Sequence, residues 1–208
     1  MIRRWIAHQF ARPSGRLGKW VIAPWLNRIG RGLNRLACDL LAPKPGEALL
    51  EIGFGGGALL ERLAAAQPAK LVGLDRSGVI VARGRRRLRG HAEIIEAGAT
   101  SLPFGDDRFD GLVSVSVLHF WPDLGPPLRE MARVLRRAGR LVLVFECEAS
   151  LRSWPGHRHG FELWSAADVV AAANAAGLAL DARVEEQGRK PDHYVGLMFV
   201  KGITHGRG

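Results

Sequence analysis

An α/β fold, doubly wound around a mostly parallel seven-stranded sheet, is what this 208-residue sequence predicts, and three observations predict it. Short runs of Leu, Val and Ile alternate with helical patterns from Ala48 to Phe145, which places parallel strands in a sheet covered on both faces. The first run ends in Glu51 and passes into Gly53-Phe54-Gly55-Gly56-Gly57, a strand–turn–helix in which glycine reaches positive φ and lets a ligand lie on the backbone. The last two apolar runs are joined only by Gln187 to Asp192, too short for a helical crossover, so the last strand is expected to be antiparallel.

The elements follow in order. Residues 1–45 read as a basic helical cap, with nine Lys or Arg against one Asp, and with Trp5, Trp20 and Trp25. Within it Leu26, Ile29, Leu33, Leu36 and Leu40 recur at helical spacing until Pro43-Lys44-Pro45-Gly46 stops the pattern. Residues 46–208 form the main domain. Ala48–Ile52 is a strand, Ala58–Ala66 a helix and Lys70–Asp75 a strand that again ends in an acid. Ser77–Leu88 is a helix with Ser77 as its cap. Glu93–Ala97 and Phe109–Val115 are strands, Pro126–Leu135 a helix that tolerates proline in its first turn, and Gly139–Phe145 a fifth strand. A histidine-bearing loop at Ser150–Gly160 leads to a helix over Ser165–Ala176, then to strands Ala179–Glu185 and His193–Val200.

Hydrophobic content of 47% is ordinary for a globular chain, but a formal net charge of +10 favours acidic partners: nucleic acid, anionic lipid or phosphorylated metabolites. Cys38 and Cys147 stand far apart without CxxC spacing, which argues against a disulfide framework and a zinc site, and His157 and His159 have no further ligand at metal spacing; no metal is expected. No apolar run approaches the ~20 residues that span a bilayer. A cytoplasmic location follows, with peripheral contact at the inner membrane surface if the basic cap seeks headgroups rather than only packing on the sheet. Arg83, Arg85, Arg86, Arg87 and Arg89 crowd one helix end, as a solvated face or as an anion-seeking one.

Gly53-x-Gly55-x-x-Ala58 with Asp75 22 residues on satisfies the loose dinucleotide fingerprint. Glu51-x-Gly53-x-Gly55-x-Gly57 fits another pattern better, and four further segments accompany it: Asp75; Ser101-Leu102-Pro103-Phe104 with Phe109-Asp110; Val117-Leu118-His119-Phe120; and Arg133 to Leu141. Over roughly residues 46–147 the chain resembles a class I S-adenosylmethionine-dependent methyltransferase, of the small bacterial type similar to quinone-biosynthesis methyltransferases. The resemblance implies a Rossmann-like sheet and S-adenosylmethionine as cofactor. It implies that the backbone at Gly53, Phe54, Gly55 and Gly57 approaches the cofactor, that Glu51 sits under the turn, that Asp75 accepts from both ribose hydroxyls, and that Arg76 flanks the adenine. Ser114 and Ser116 would line the sulfonium side. Gly98 stands where the family commonly places an acid for the adenine amino group, which leaves backbone near Ala99 and Thr100 for that contact.

The expected chemistry is in-line methyl transfer to a small-molecule or lipid-like acceptor, with His119, at the site's mouth, as general base where the acceptor needs one. Three readings stand beside it: a nucleic-acid (RNA) methyltransferase, motivated by the charge; a nicotinamide-dependent oxidoreductase, motivated by the loose fingerprint; and a binding module without turnover. The sequence leaves the acceptor and the oligomeric state open.

Overall fold

The computed structural model describes residues 30–153, 161–187 and 193–202. Trp5, Trp20, Trp25, Leu26 and Ile29 of the cap, and His157 and His159, lie outside the described residues.

The cap's second half is a helix, α1 (Arg31–Leu41), and it packs against the sheet rather than standing apart. Its apolar stripe, Leu33, Leu36, Ala37 and Leu41, is buried. The alternation read from the sequence then unfolds as β1 (Ala48–Ile52), α2 (Ala58–Ala64), β2 (Lys70–Asp75), α3 (Gly78–Arg87), β3 (Glu93–Glu96), β4 (Phe109–Val115), α4 (Gly125–Val134), β5 (Leu135–Glu146), α5 (Glu148–Ser153), α6 (Ala166–Ala175), β6 (Leu178–Gln187) and β7 (His193–Lys201). The seven strands form one sheet in the order β3-β2-β1-β4-β5-β7-β6. β1 to β5 run parallel, and β7 inserts antiparallel between β5 and β6, as the short connection requires.

All five residues of β1 are buried, because successive side chains feed opposite layers. Leu50 and Ile52 join Leu128, Met131 and Val169 on the side covered by α4 and α6. Leu49 joins Leu33, Leu41, Leu60 and Ile80 on the side covered by α1, α2 and α3. Arg140 ties α1 to the sheet. Its guanidinium donates to Leu41 O at 3.0 Å and to both Glu47 oxygens at 2.7 and 2.8 Å. No helix of the described residues is long and apolar enough to cross a membrane.

The structure departs from the sequence reading in local detail. Ser77 occupies the cap position of α3 but makes no side-chain cap bond; it is buried, and its own N–H donates to Asp75 Oδ1. β5 starts at Leu135, four residues earlier than expected: Ala138 adopts φ 59° and the partner strand shifts register between Phe109 and Gly111, which lets Leu135 pair with Phe109. The stretch read as a loop from Ser150 begins inside the short helix α5.

Helix α1 reaches the sheet where β7 carries Gly196, and a Cβ there would lie 2.6 Å from Leu40 and 3.0 Å from Leu36. Valine suits a strand, so Gly196→Val isolates the close approach. We expect it to lower the stability of the folded chain by about 2 kcal/mol, read as a reduced midpoint in urea denaturation at unchanged slope.

Candidate functional site

The site lies at the carboxyl ends of the strands, where β1 and β4 diverge in connectivity and an open α/β sheet leaves a crevice. Its floor is the glycine turn. Gly53 (φ 77°), Gly55 (φ 49°) and Gly57 (φ 80°) all have positive φ, a backbone path that L side chains resist. The turn is fastened to the end of β2, with Gly53 N donating to Leu74 O at 2.6 Å and Phe54 N to the same oxygen at 3.3 Å. The Phe54 ring turns down into the core, beside the room left by Gly73 and Gly84, so only its backbone faces the crevice. From outside, Arg87 donates to Gly56 O at 3.0 Å while paired with Glu61.

Two carboxylates stand under this turn. Asp75 ends β2; its Oδ2 accepts from Gly55 N at 3.2 Å and its Oδ1 from Ser77 N at 2.9 Å. Asp75 therefore caps the following turn and pins the glycine turn at once. Glu51, on β1, is 3% exposed; the Leu60 N–H donates to it, and its Oε2 has no partner among the described residues. Burial pushes the Glu51 carboxyl well above the usual range and the neighbouring Asp75 charge adds to this, against the Leu60 hydrogen bond. Burial also raises Asp75, opposed by the N–H groups of Ser77 and Gly55 and by the Arg76 charge.

The wall is the segment after β4. Ser114 donates to Ile52 O at 2.9 Å and is buried, so its hydroxyl locks β4 to β1 and does not line the crevice as expected. Ser116, at φ 54°, donates to Glu146 Oε1 at 2.9 Å. Val117 lies on the glycine turn: a side chain at Gly53 would overlap it. Arg76, the residue after Asp75, stacks its guanidinium 5.9 Å from the Phe120 ring, which brings the wall across to β2. Ala99 packs on the core, and the space around Gly98 is open, the nearest atom to a Cβ there being Thr100 Oγ1 at 4.0 Å.

His119 is not at the mouth. It is 1% exposed, because the 3₁₀ turn Leu118–Phe120 folds its ring back onto Phe145, edge-on at 6.2 Å between centroids. Its Nε2 lies 3.2 Å from Glu146 Oε2, and its Nδ1 has no partner among the described residues. The group that reaches toward solvent is Glu146, whose side chain is 25% exposed. Burial pushes the Glu146 carboxyl up, but the hydrogen bond and charge of His119, with Ser116, outweigh it and hold the carboxyl below the usual range. The sequence reading missed Glu146. Its signal was there: like Glu51 and Asp75, it ends or nearly ends an apolar core strand.

The arrangement suits an adenosyl sulfonium. Among the described residues a Cβ at Gly55 would meet only Gly53 O, at 4.0 Å, and one oxygen of the two carboxylates below has no partner, so the turn is open to a ligand and favours a cation above. Among the described residues no group of His, Cys, Asp and Glu could hold a metal ion.

Comparison with known proteins agrees. Residues 50–143 match the family model described as a methyltransferase domain. The chain is 37% identical to a demethylmenaquinone methyltransferase of Clavibacter sepedonicus over 60% of its own length and 50% of the relative's. It is 37% identical to a fatty-acid O-methyltransferase of Mycolicibacterium smegmatis over 51% of this chain and 42% of that one. The chain thus spans about half the length of the curated relatives it matches. Among solved structures, a geranyl diphosphate methyltransferase in complex with S-adenosylmethionine superposes with a TM-score of 0.73 at 17% identity, over 91% of this chain and 92% of that one. A SAM-dependent methyltransferase from Aquifex aeolicus gives 0.69 at 17% identity, over 81% and 89%.

The glycines of the turn separate by role. Gly53→Ala combines positive φ with overlap on Val117, and we expect about 2–4 kcal/mol of lost stability in urea denaturation. Gly55→Ala meets no side chain; it should cost only about 1–2 kcal/mol of fold stability while weakening S-adenosylhomocysteine binding at least about tenfold in calorimetry.

Proposed function

We propose that the chain, whose residues 50–143 match a methyltransferase domain and whose fold is that of S-adenosylmethionine-dependent methyltransferases, is a class I enzyme of that kind and transfers the donor's methyl group in line to a small-molecule or lipid-like acceptor. The observation that carries the reading is the pair of carboxylates, buried Glu51 and partly buried Asp75, beneath a glycine turn with open space above it. The bound cofactor supplies a methyl group already activated by the sulfonium charge. What remains for the protein is alignment and exclusion of water, and alignment alone supplies about 7–11 kcal/mol.

In this reading the backbone of Gly53, Phe54, Gly55 and Gly57 admits the cofactor, and Asp75 holds the ribose hydroxyls while keeping the turn in place. Arg76 with Phe120 borders the base, and backbone near Ala99 with Thr100 meets its edge. Glu51 offsets the cationic end from below. The acceptor enters from the β4–β5 side, where Ser116 and Glu146 stand. The similarity to quinone and fatty-acid methyltransferases favours an apolar acceptor, and the basic cap is suited to an anionic membrane surface. The nucleic-acid reading is weaker, because Arg85 and Arg87 of the basic helix are engaged with Ile94 O and Glu61. Titration with S-adenosylhomocysteine, followed by transfer of labelled methyl to a quinol, a fatty acid or RNA, tests the proposal. No cofactor binding would reject it, and methylation of RNA alone would replace the acceptor class.

The raised carboxyls give a pH dependence with a definite sign. Without ligand, the site holds protons above the ordinary carboxylate range, so the folded state binds more than the unfolded one. This contribution to stability is fully present below the ordinary range and is lost as pH climbs through the raised values. A cationic ligand favours the ionised carboxylates and expels the protons, so affinity rises with pH across the same interval and levels off above it. Calorimetry of S-adenosylmethionine binding in two buffers of different ionisation heat is expected to show net proton release that Glu51→Gln diminishes. Equal apparent heats in both buffers would refute the linkage.

A further inference from the structure

The pairing of a buried histidine with a partly exposed glutamate at the acceptor end of the sheet reverses the roles that a histidine in this position suggests. His119 is sealed, with a side chain 2% exposed, and cannot touch an acceptor; Glu146, at 25%, can. Both Glu146 oxygens are engaged from behind, Oε1 by the Ser116 hydroxyl at 2.9 Å and Oε2 by His119 Nε2 at 3.2 Å. These contacts fix the rotamer of the carboxylate and favour its ionised form, since an ionised carboxylate accepts from both and a carboxylic acid surrenders one acceptor. Ser116 holds a positive φ to make its contact, while its own N–H donates to Val144 O at 2.8 Å. The backbone strain at a non-glycine residue is thus tied to aiming this one carboxylate.

We propose that Glu146 is the specificity-determining residue of the acceptor pocket: a fixed anion that receives a hydroxyl or amino hydrogen of a neutral or cationic acceptor and rejects acceptors that carry their own carboxylate. His119 and Ser116 are its positioning residues. The proposal rests on the methyltransferase reading. It extends that reading to the chemistry of the substrate. An ionised carboxylate pre-organised by two donors still has free acceptor directions on its exposed side, whereas a second anion brought against it meets like charge in a partly buried place. Carboxylate-bearing acceptors are therefore excluded from this chain, although one relative is named for methylating fatty acids.

The test uses the protein loaded with S-adenosylhomocysteine and two probes of matched shape, 4-hexylphenol and 4-hexylbenzoate, with affinities measured by calorimetry. The phenol is expected to bind at least about tenfold more tightly than the benzoate, and Glu146→Gln, which keeps the size and one acceptor oxygen but removes the charge, to bring the ratio near one. His119→Gln, whose amide still donates to Oε2, should retain most of the preference; His119→Leu should lose it. Equal binding of the two probes, no binding of the phenol, or a preference that survives Glu146→Gln overturns the proposal. Failure of S-adenosylhomocysteine itself to bind the wild-type protein would instead overturn the methyltransferase reading on which it stands.

Discussion

Two like carboxylates on adjacent strands, one buried and the other partly buried, are the constraint around which this fold is arranged. Glu51 and Asp75 sit on neighbouring parallel strands, β1 and β2, in the crevice where solvent is displaced by the glycine turn. Ionised and unpaired, such groups would oppose folding, and the structure answers with backbone donors: Gly55 and Ser77 to Asp75, Leu60 to Glu51. Those donors belong to the turn and to the starts of α2 and α3, so satisfying the acids also fixes where both helices begin. The remaining deficit, one oxygen of Glu51 without a partner among the described residues, is what makes the site a good place for positive charge.

The packing on either side serves this end of the sheet. Glycines at Gly73 and Gly84 admit the Phe54 ring, and the ring in turn anchors the middle of the turn from below. Val117 presses on Gly53 from the wall, and Arg87 holds Gly56 O from the rim. Each contact is short-range and none uses the groups that face the crevice. The turn can therefore be rigid while its upper surface stays free, the condition under which backbone approach to a ligand carries little ordering cost.

Much of this was legible before any coordinates. The alternation of apolar runs with helical periods determined the sheet, and the short Gln187–Asp192 connection determined the antiparallel β7, because both rest on chain geometry that tertiary contacts seldom overrule. Glu51, the glycines and Asp75 were legible because their positions at strand ends are encoded by spacing. What escaped was decided by side-chain direction. His119 was placed by its position after β4, but whether a residue in a 3₁₀ turn faces the crevice or the core depends on Phe145 and Glu146, 26 and 27 residues later. Ser114 and Ser116 look alike in the sequence, yet strand alternation and a positive φ send one hydroxyl to Ile52 O and the other to Glu146. Glu146 itself was overlooked because β5 was ended one residue short, at Phe145.

The distribution of internal counter-charge divides the site in two. At the β1–β2 side the acids are matched by backbone dipoles, which stabilise a carboxylate without neutralising it, so they are free to ionise against a cationic ligand. On the β5 side, Glu146 has side-chain donors, Ser116 and His119, behind both oxygens before any ligand arrives. A cationic donor gains most from acids that ionise against it, and a neutral acceptor gains from a carboxylate whose direction is already fixed. The same chemical group, at three strand ends of one sheet, can thus bind a sulfonium on one side and present a directional acceptor on the other. The difference lies in what stands behind each carboxylate: N–H groups behind two of them, an imidazole behind the third.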